Sequence, residues 1–271
     1  MLILLPPSEG KSAPTRGKRL ALHELSFPAL TEARGQVLAS LVDLCSNGHD
    51  PATPLQNQLL LDRAQQTLGL GPTQADEVRR NGRLLVAPTA RADALYSGVL
   101  YDALDLASLD ATARRRASRW LAVTSSLFGL VRPGDRIPAY RLSGDVNLPG
   151  VGVVSAHWRG VLDEAVREAA GNGLVVDLRS TTYAAFWRPH RDLAERVATV
   201  RVLQQVGTQR KVVSHFNKAT KGRLVRALLE SGATPGTPEV LADEVVRLGW
   251  DVEVQAPGRH GHQLDVIVSE V

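Results

Sequence analysis

Eight cations and no acid occupy the 34 residues between Glu195 and Glu230: Arg196, Arg201, Arg210, Lys211, Lys218, Lys221, Arg223 and Arg226. At the chain's overall frequency of 28 acids in 271 residues, a window of that size would hold about 3.5 acids. A sustained positive field attracts phosphate, either of a nucleic acid or of a small nucleotide. The stretch KATKGRLVRALLE has helical period. With Lys218 at zero on a wheel of about 100° per residue, Leu224, Val225 and Leu228 fall at roughly 240°, 340° and 280°, and Lys221 falls among them at roughly 300°. A lysine on a core stripe is costly unless it is paired or lines a cavity. The alternative is that Lys221 snorkels outward from the start of the helix. On this phase Lys218 and Lys221 are expected to turn toward the protein, while Arg223 and Arg226 turn outward to meet a polyanion.

Four other segments combine small, polar or charged residues in patterns that suit ligand binding. Ser8-Glu9-Gly10-Lys11 follows a buried-strand pattern, and α/β proteins place ligands at the carboxyl ends of strands. Ser125-Ser126-Leu127-Phe128-Gly129-Leu130-Val131-Arg132-Pro133 also follows a strand and suits an anion loop. It matches neither a P-loop nor a dinucleotide fingerprint. Arg132 and Arg141 flank Tyr140 and are candidates for clamping an anion, although pairing with Asp135 and Asp145 accounts for them equally well. Asp177 to Tyr183 places Ser180 just past another buried strand, where capping a helix is the competing role. Leu148-Pro149-Gly150-Val151-Gly152, before an amphipathic helix, resembles the hairpin of a helix-hairpin-helix element near 148–170. There Gly150 and Gly152 would present backbone N–H groups to a DNA phosphate. An ordinary glycine-rich turn accounts for the same residues.

These segments need a frame. MLILL reads as a buried strand. Helical period marks 29–45, 59–68, 73–80, 92–95, 99–104 and 153–170, a helix from a Ser108 cap to Arg119, and helices over 218–231 and 237–249. Strands are expected at 84–87, 120–124, 174–178, 197–206 and 211–216, and the last 22 residues alternate as a hairpin. The segment from Ser125 to Gly152 is a long Gly/Pro-rich loop of the kind that carries function. The mixture predicts one α/β domain over 1–271, with a mixed sheet, several helices and a C-terminal β-hairpin. Net charge is +4, and a single cysteine, Cys45, excludes an internal disulfide. No apolar run approaches membrane-spanning length. The reading is a cytoplasmic protein. His157, His215, His260 and His262 form no ligand pattern, so neither a metal nor a cofactor is expected.

MLILLPPSEGK, Leu95-Tyr96-Ser97-Gly98, SSLFGLVRPGDRIPAYRL, HWRGVLDEA, DLRSTTY and VVSHFNKATKGRLVRALLE together resemble the YaaA family of peroxide-stress proteins. The resemblance implies a role in limiting iron-dependent oxidative damage and binding to double-stranded DNA through its phosphate backbone. Carried over residue by residue, it marks Ser8, Lys11, Tyr96, Gly98, Ser126, Gly129, Arg132, Tyr140, Arg141, Trp158, Ser180, Tyr183, Lys218 and Lys221. In the DNA reading Gly150, Gly152, Arg223 and Arg226 contact phosphate. In the alternative, an enzyme or small-ligand binder takes a nucleotide- or nucleobase-like anion in a pocket lined by Ser8, Ser126, Arg132, Arg141, Ser180 and Lys221. Lys221, Arg141, Tyr140 and Ser126 would then carry the chemistry.

Overall fold

Leu2–Leu5 is buried at every position, and a strand that alternates toward neither face needs cover on both. The computed structural model describes residues 1–46, 54–206, 209–211 and 214–269. Its main sheet contains Leu2–Leu5 (β1), Leu121–Ser125 (β2), Gly129–Val131 (β3), Val175–Asp177 (β4), Val197–Val206 (β5), Gln209–Lys211 (β6), Asp251–Val254 (β7) and His262–Ser269 (β8). The order is β7-β8-β5-β4-β1-β2-β3, with β6 paired to β5. β1 lies parallel between β2 and β4; β5 continues parallel from β4, and β8 from β5. β3, β6 and β7 are antiparallel additions.

Helices cover this sheet. They are Thr31–Ser46 (α1), Pro54–Leu68 (α2), Ala75–Asn81 (α3), Val99–Leu104 (α4), Ala111–Trp120 (α5), Val154–Arg159 (α6), Leu162–Ala170 (α7), Ser214–Ser231 (α8) and Pro238–Arg247 (α9). α5 packs on β1 and β2; α8 packs on α4, α5 and β5; α7 packs on β3. The caps are local. The Asp110 carboxylate, rather than Ser108, accepts the Ala113 N–H at 2.7 Å to start α5, and the Thr237 hydroxyl does the same for Val240 in α9.

The chain leaves β1 for β2 on one side and later returns to β4 on the other. The loops after β1 and β4 therefore leave the carboxyl edge of the sheet on opposite sides, the position at which α/β proteins place ligands. The mixed α/β fold and the C-terminal hairpin, β7 with β8, agree with the sequence reading.

Local departures have identifiable causes. The expected strand at 84–87 is a set of tight turns, with Leu84 and Val86 donating to Asn81 and Arg83, and Leu85 and Val86 lie exposed. Residues 214–216, expected in a strand, already belong to α8. The expected helix over 153–170 is broken between α6 and α7 at Gly160-Val161. The region 125–152 is not a loose loop. It holds β3 and two short ribbons, Ala90–Arg91 with Arg136–Ile137 and Asn147–Leu148 with Gly152–Val153. Gly150 and Gly152 shape the second ribbon with positive φ. The residues before it, 138–146, are not helical, and the N–H and C=O of Arg141 bond the Asn81 side chain instead of a helix turn. The helix-hairpin-helix expectation near 148–170 is thus corrected to a hairpin followed by helices.

Gly222 lets α8 approach α4: a Cβ there would collide with the Leu100 carbonyl oxygen and lie 2.9 Å from the Ala103 side chain. Gly222→Ala should therefore lower stability by about 1–3 kcal/mol through overpacking. Gly35→Ala in α1 meets nothing within 4 Å and should gain about 0.5–1 kcal/mol from helix propensity. Urea unfolding of the two variants checks the contrast; equal midpoints would contradict it.

Candidate functional site

Three segments meet at the carboxyl edge of the central parallel strands: residues 6–11 after β1, Ser125-Ser126 at the end of β2, and residues 178–183 after β4. A fourth segment, 139–141, crosses above them through hydrogen bonds. The Tyr140 hydroxyl is 2.7 Å from the Ser125 hydroxyl and 3.1 Å from that of Tyr96. Ser125 Oγ also accepts the Phe128 N–H at 3.0 Å, closing the turn between β2 and β3. Burial pushes the Tyr96, Tyr101 and Tyr140 phenols above their ordinary range, so these groups remain neutral.

Lys11 sits on this aromatic floor. Its Nζ lies 4.1 Å from the centre of the Tyr140 ring and 5.6 Å from that of Tyr96, and donates to the Ser8 carbonyl at 2.9 Å. Ser8 is fixed in turn, its hydroxyl donating to Gly10 O at 2.5 Å and accepting the Ser97 N–H at 3.2 Å. Gly98, beside Ser97, takes a φ of 96° to start α4. Burial and then the charge of Arg141 lower Lys11 to about 7, against the opposing pull of Glu77 and Glu9. Arg141 reaches Glu9 at 3.2 Å and is only 22% exposed, whereas Glu9 is 83% exposed. A ligand anion can therefore take over the guanidinium by displacing one solvent-facing carboxylate.

On the β4 side, the Tyr183 hydroxyl is 3.3 Å from Ser126 Oγ, and Ser180 is exposed beside it. Burial first raises the Tyr183 phenol. Lys221 comes from α8, is 8% exposed, and donates to the Leu178 carbonyl at 3.0 Å and to that of Arg179 at 3.5 Å. Burial lowers it to about 8, with Asp177 resisting. The wheel's placement of Lys221 inside the stripe agrees with this position.

Other expectations require correction. Arg132 does not face Arg141. The β2–β3 hairpin carries it back to the amino edge of the sheet, where Nη1 donates to the carbonyls of Arg119 and Leu121 at 2.6 and 2.9 Å and the guanidinium covers Phe27. Gly129 and Trp158 support the site from below. Trp158 is fully buried, its Nε1 donates to Ser126 O at 2.7 Å, and a Cβ on Gly129 would lie 2.7 Å from its ring. Lys218 is exposed rather than turned inward; on the wheel it lies at the margin of the apolar stripe, roughly 20° beyond Val225. Arg223 is exposed as expected. Arg226 is not free: it binds the Leu104 and Asp105 carbonyls and Ser108, and pairs with Glu230 at 2.9 Å.

Part of the acid-free window finds partners in space. Arg201 pairs with Asp265 at 2.6 Å, Arg210 with Glu253 at 2.6 Å, and Arg196 binds the Gly171 and Gly173 carbonyls. Sequence reasoning missed Asn81 and Arg34 as supports of the site and gave Ser125 only as part of a loop after a strand. Asn81 is fully buried and bonds both the N–H and the C=O of Arg141, at 2.9 and 2.7 Å. Arg34 is buried and donates to Phe128 O, Ser26 O and Leu130 O. Ser125 ties Tyr140 to the strand end. An asparagine ending a helix beside Gly82 reads as a cap, so nothing in the local pattern marked Asn81.

Comparison with known proteins adds the lineage. The family model described as peroxide stress protein YaaA matches residues 1–253. A UPF0246 protein of Streptomyces coelicolor is 52% identical over 273 residues, covering 100% of both chains. A UPF0246 protein of Corynebacterium glutamicum is 42% identical over 232 residues, 84% of each chain. An uncharacterised protein of Campylobacter jejuni is 26% identical over 83% of each.

The depressed Lys11 makes a prediction for stability. Folded Lys11 releases its proton near pH 7, from an ordinary value of 10.5. Above pH 7 the unfolded chain therefore holds more protons at this residue, so its contribution to stability rises with pH. Lys221 acts in the same sense from about 8. Above about pH 9 Cys45, raised by burial to about 12, pulls the other way. Lys11→Met should flatten the rise in urea midpoint between pH 7 and 9 relative to the parent chain; parallel curves would contradict the burial of the amine.

Proposed function

We propose, from the premise that the chain belongs to the YaaA family of peroxide stress proteins, that it serves the peroxide response by binding a small nucleotide- or nucleobase-like anion at the carboxyl edge of its sheet. The observation that carries this reading is the convergence of Ser8, Lys11, Ser126, Tyr140, Arg141 and Tyr183 there through the loops after β1, β2 and β4. Arg141 clamps the anion in place of Glu9. The Ser126 and Tyr183 hydroxyls orient the polar edge of the ligand, and the Tyr140 and Tyr96 rings form an apolar wall under Lys11. Lys11, near pH 7 in its titration, exchanges a proton with the bound molecule. Ser180 and Lys221 border the same loop; the Lys221 ammonium holds the Leu178 and Arg179 carbonyls after β4.

Among the described residues no three His, Cys, Asp or Glu side chains gather as a metal site. Among the described residues no helix is long and apolar enough to cross a membrane, in keeping with action in the cytoplasm.

Duplex DNA is the second reading. The exposure of Lys218 and Arg223 on α8, and of the Pro149-Gly150 tip, favours it. The engagement of Arg226, Arg201 and Arg210 by acids weakens it.

Calorimetric titration separates the readings. AMP, ADP, adenine and inorganic phosphate are titrated into the parent, Arg141→Ala and Arg223→Ala proteins, and a duplex oligonucleotide is titrated at low salt. The pocket reading expects a nucleotide to bind and Arg141→Ala to weaken it by about 10–100-fold, the worth of a charge-assisted hydrogen bond. Arg223→Ala should leave that affinity unchanged. Binding of duplex alone, with steep salt dependence and sensitivity to Arg223→Ala, would overturn the pocket reading.

A further inference from the structure

Of the 32 basic residues only five are lysines: Lys11, Lys18, Lys211, Lys218 and Lys221. The chain thus meets nearly every need for positive charge with arginine. A lysine is irreplaceable where an amine must lose its proton near neutral pH or attack an electrophile, which a guanidinium cannot do. Lys18 and Lys218 are exposed. Lys221 spends its ammonium on the two carbonyls after β4.

Lys11 stands differently. Its Nζ donates to one carbonyl, that of Ser8, and otherwise faces the Tyr140 and Tyr96 rings. Among the described residues no carboxylate lies within ion-pair distance of it. The two acids closest in effect are already engaged, Glu9 by Arg141 and Glu77 by Arg80. In its neutral form the amine keeps one N–H on Ser8 O and leaves its lone pair free. It stands at the carboxyl end of the central strand, with Arg141 beside it to hold an anion and the Ser126–Tyr183 hydroxyl pair bordering the same loops. Desolvation, the standard means of keeping a nucleophilic lysine neutral, supports the same role by bringing its titration to about 7.

We propose that Lys11 is a covalent catalytic lysine whose Nζ condenses with the carbonyl carbon of a small aldehyde or ketone bearing an anionic group held by Arg141. The inference rests on the anion site of the pocket reading above and adds a reactive carbonyl to what that site accepts. The lone pair of Nζ forms the C–N bond, and the carbonyl oxygen takes up a proton to give a carbinolamine. That hydroxyl departs as water with a second proton while nitrogen releases its hydrogens, so amine plus carbonyl gives imine plus water with no change in oxidation state. The protons exchange with solvent water.

Borohydride trapping tests it. The full-length protein is incubated with pyridoxal 5′-phosphate, with glyoxylate or with neutral propionaldehyde, then reduced, digested and mapped by mass spectrometry. Lys11 should be labelled at least tenfold faster than Lys18 or Lys218 by an anionic aldehyde. The phosphate-bearing and carboxylate-bearing probes report which anion Arg141 accepts. Arg141→Ala should remove the preference, and Lys11→Arg, which keeps the charge and guards against misfolding, should abolish the adduct, as should Lys11→Met. Equal labelling of Lys11 and the exposed lysines overturns the inference. So does nucleotide binding that depends on Arg141 with no trapping at Lys11, which leaves the pocket reading standing. Trapping of Lys11 equally by neutral and anionic aldehydes overturns the anionic substrate class and the pocket reading together.

Discussion

The buried ion pair of Asp177 and Arg179 is the constraint on which the carboxyl edge depends. The two side chains are two residues apart at the end of β4, both are nearly inaccessible, and they meet in a bidentate contact at 2.7 and 2.9 Å. Burial alone would raise Asp177, but the adjacent guanidinium and its hydrogen bonds more than offset it, holding the carboxyl below its ordinary value. Such a pair is tolerable inside a protein only when its remaining donors are satisfied. They are, by the Tyr183 and Trp187 carbonyls. The same bonds fix the chain from 178 to 187, which sets Tyr183 against Ser126. They also leave the Leu178 and Arg179 carbonyls pointing at α8, where Lys221 meets them.

The site is therefore held by backbone carbonyls and buried side chains rather than by mobile surface groups. Asn81 holds Arg141 by its backbone, Trp158 holds Ser126, and Ser125 holds Tyr140. Each clamp comes from a different part of the chain, and each acts on a residue at the carboxyl edge of the sheet. A helix as close as α8 is to α4 requires Gly222, immediately after the lysine that reaches the carbonyls. The glycine sets the depth of the helix, and that depth brings Lys221 into contact with the strand end.

The frame was legible because it obeys local rules. A fully apolar run such as Leu2–Leu5 allows a buried parallel strand, and periodic helices between such runs imply an α/β sheet. The polar loops after those runs were legible as gathering at one edge of the sheet for the same reason, since they follow strand ends. Arg132 misled because three residues of antiparallel strand reverse direction, and a motif read as one loop spans both edges of the sheet. Lys218 misled because a wheel gives relative angles along a helix but not where its first turn sits against neighbours. Asn81 and Arg34 were invisible because their partners lie 60 and 94 residues away.

The acid-free window shows most plainly where sequence ends and tertiary structure begins. Its composition established that eight cations lie without a local counter-charge, and its helical phase put Lys221 on the apolar stripe, with burial and outward snorkelling both open. Only the fold decided what that charge does. β5 pairs with β8, bringing Asp265 to Arg201; α8 packs on α4, bringing Asp105 to Arg226. Local patterns fix which face of an element is apolar, because neighbouring side chains share one backbone. Electrostatic partners are chosen by distance in space, and that distance is set by how the elements stack.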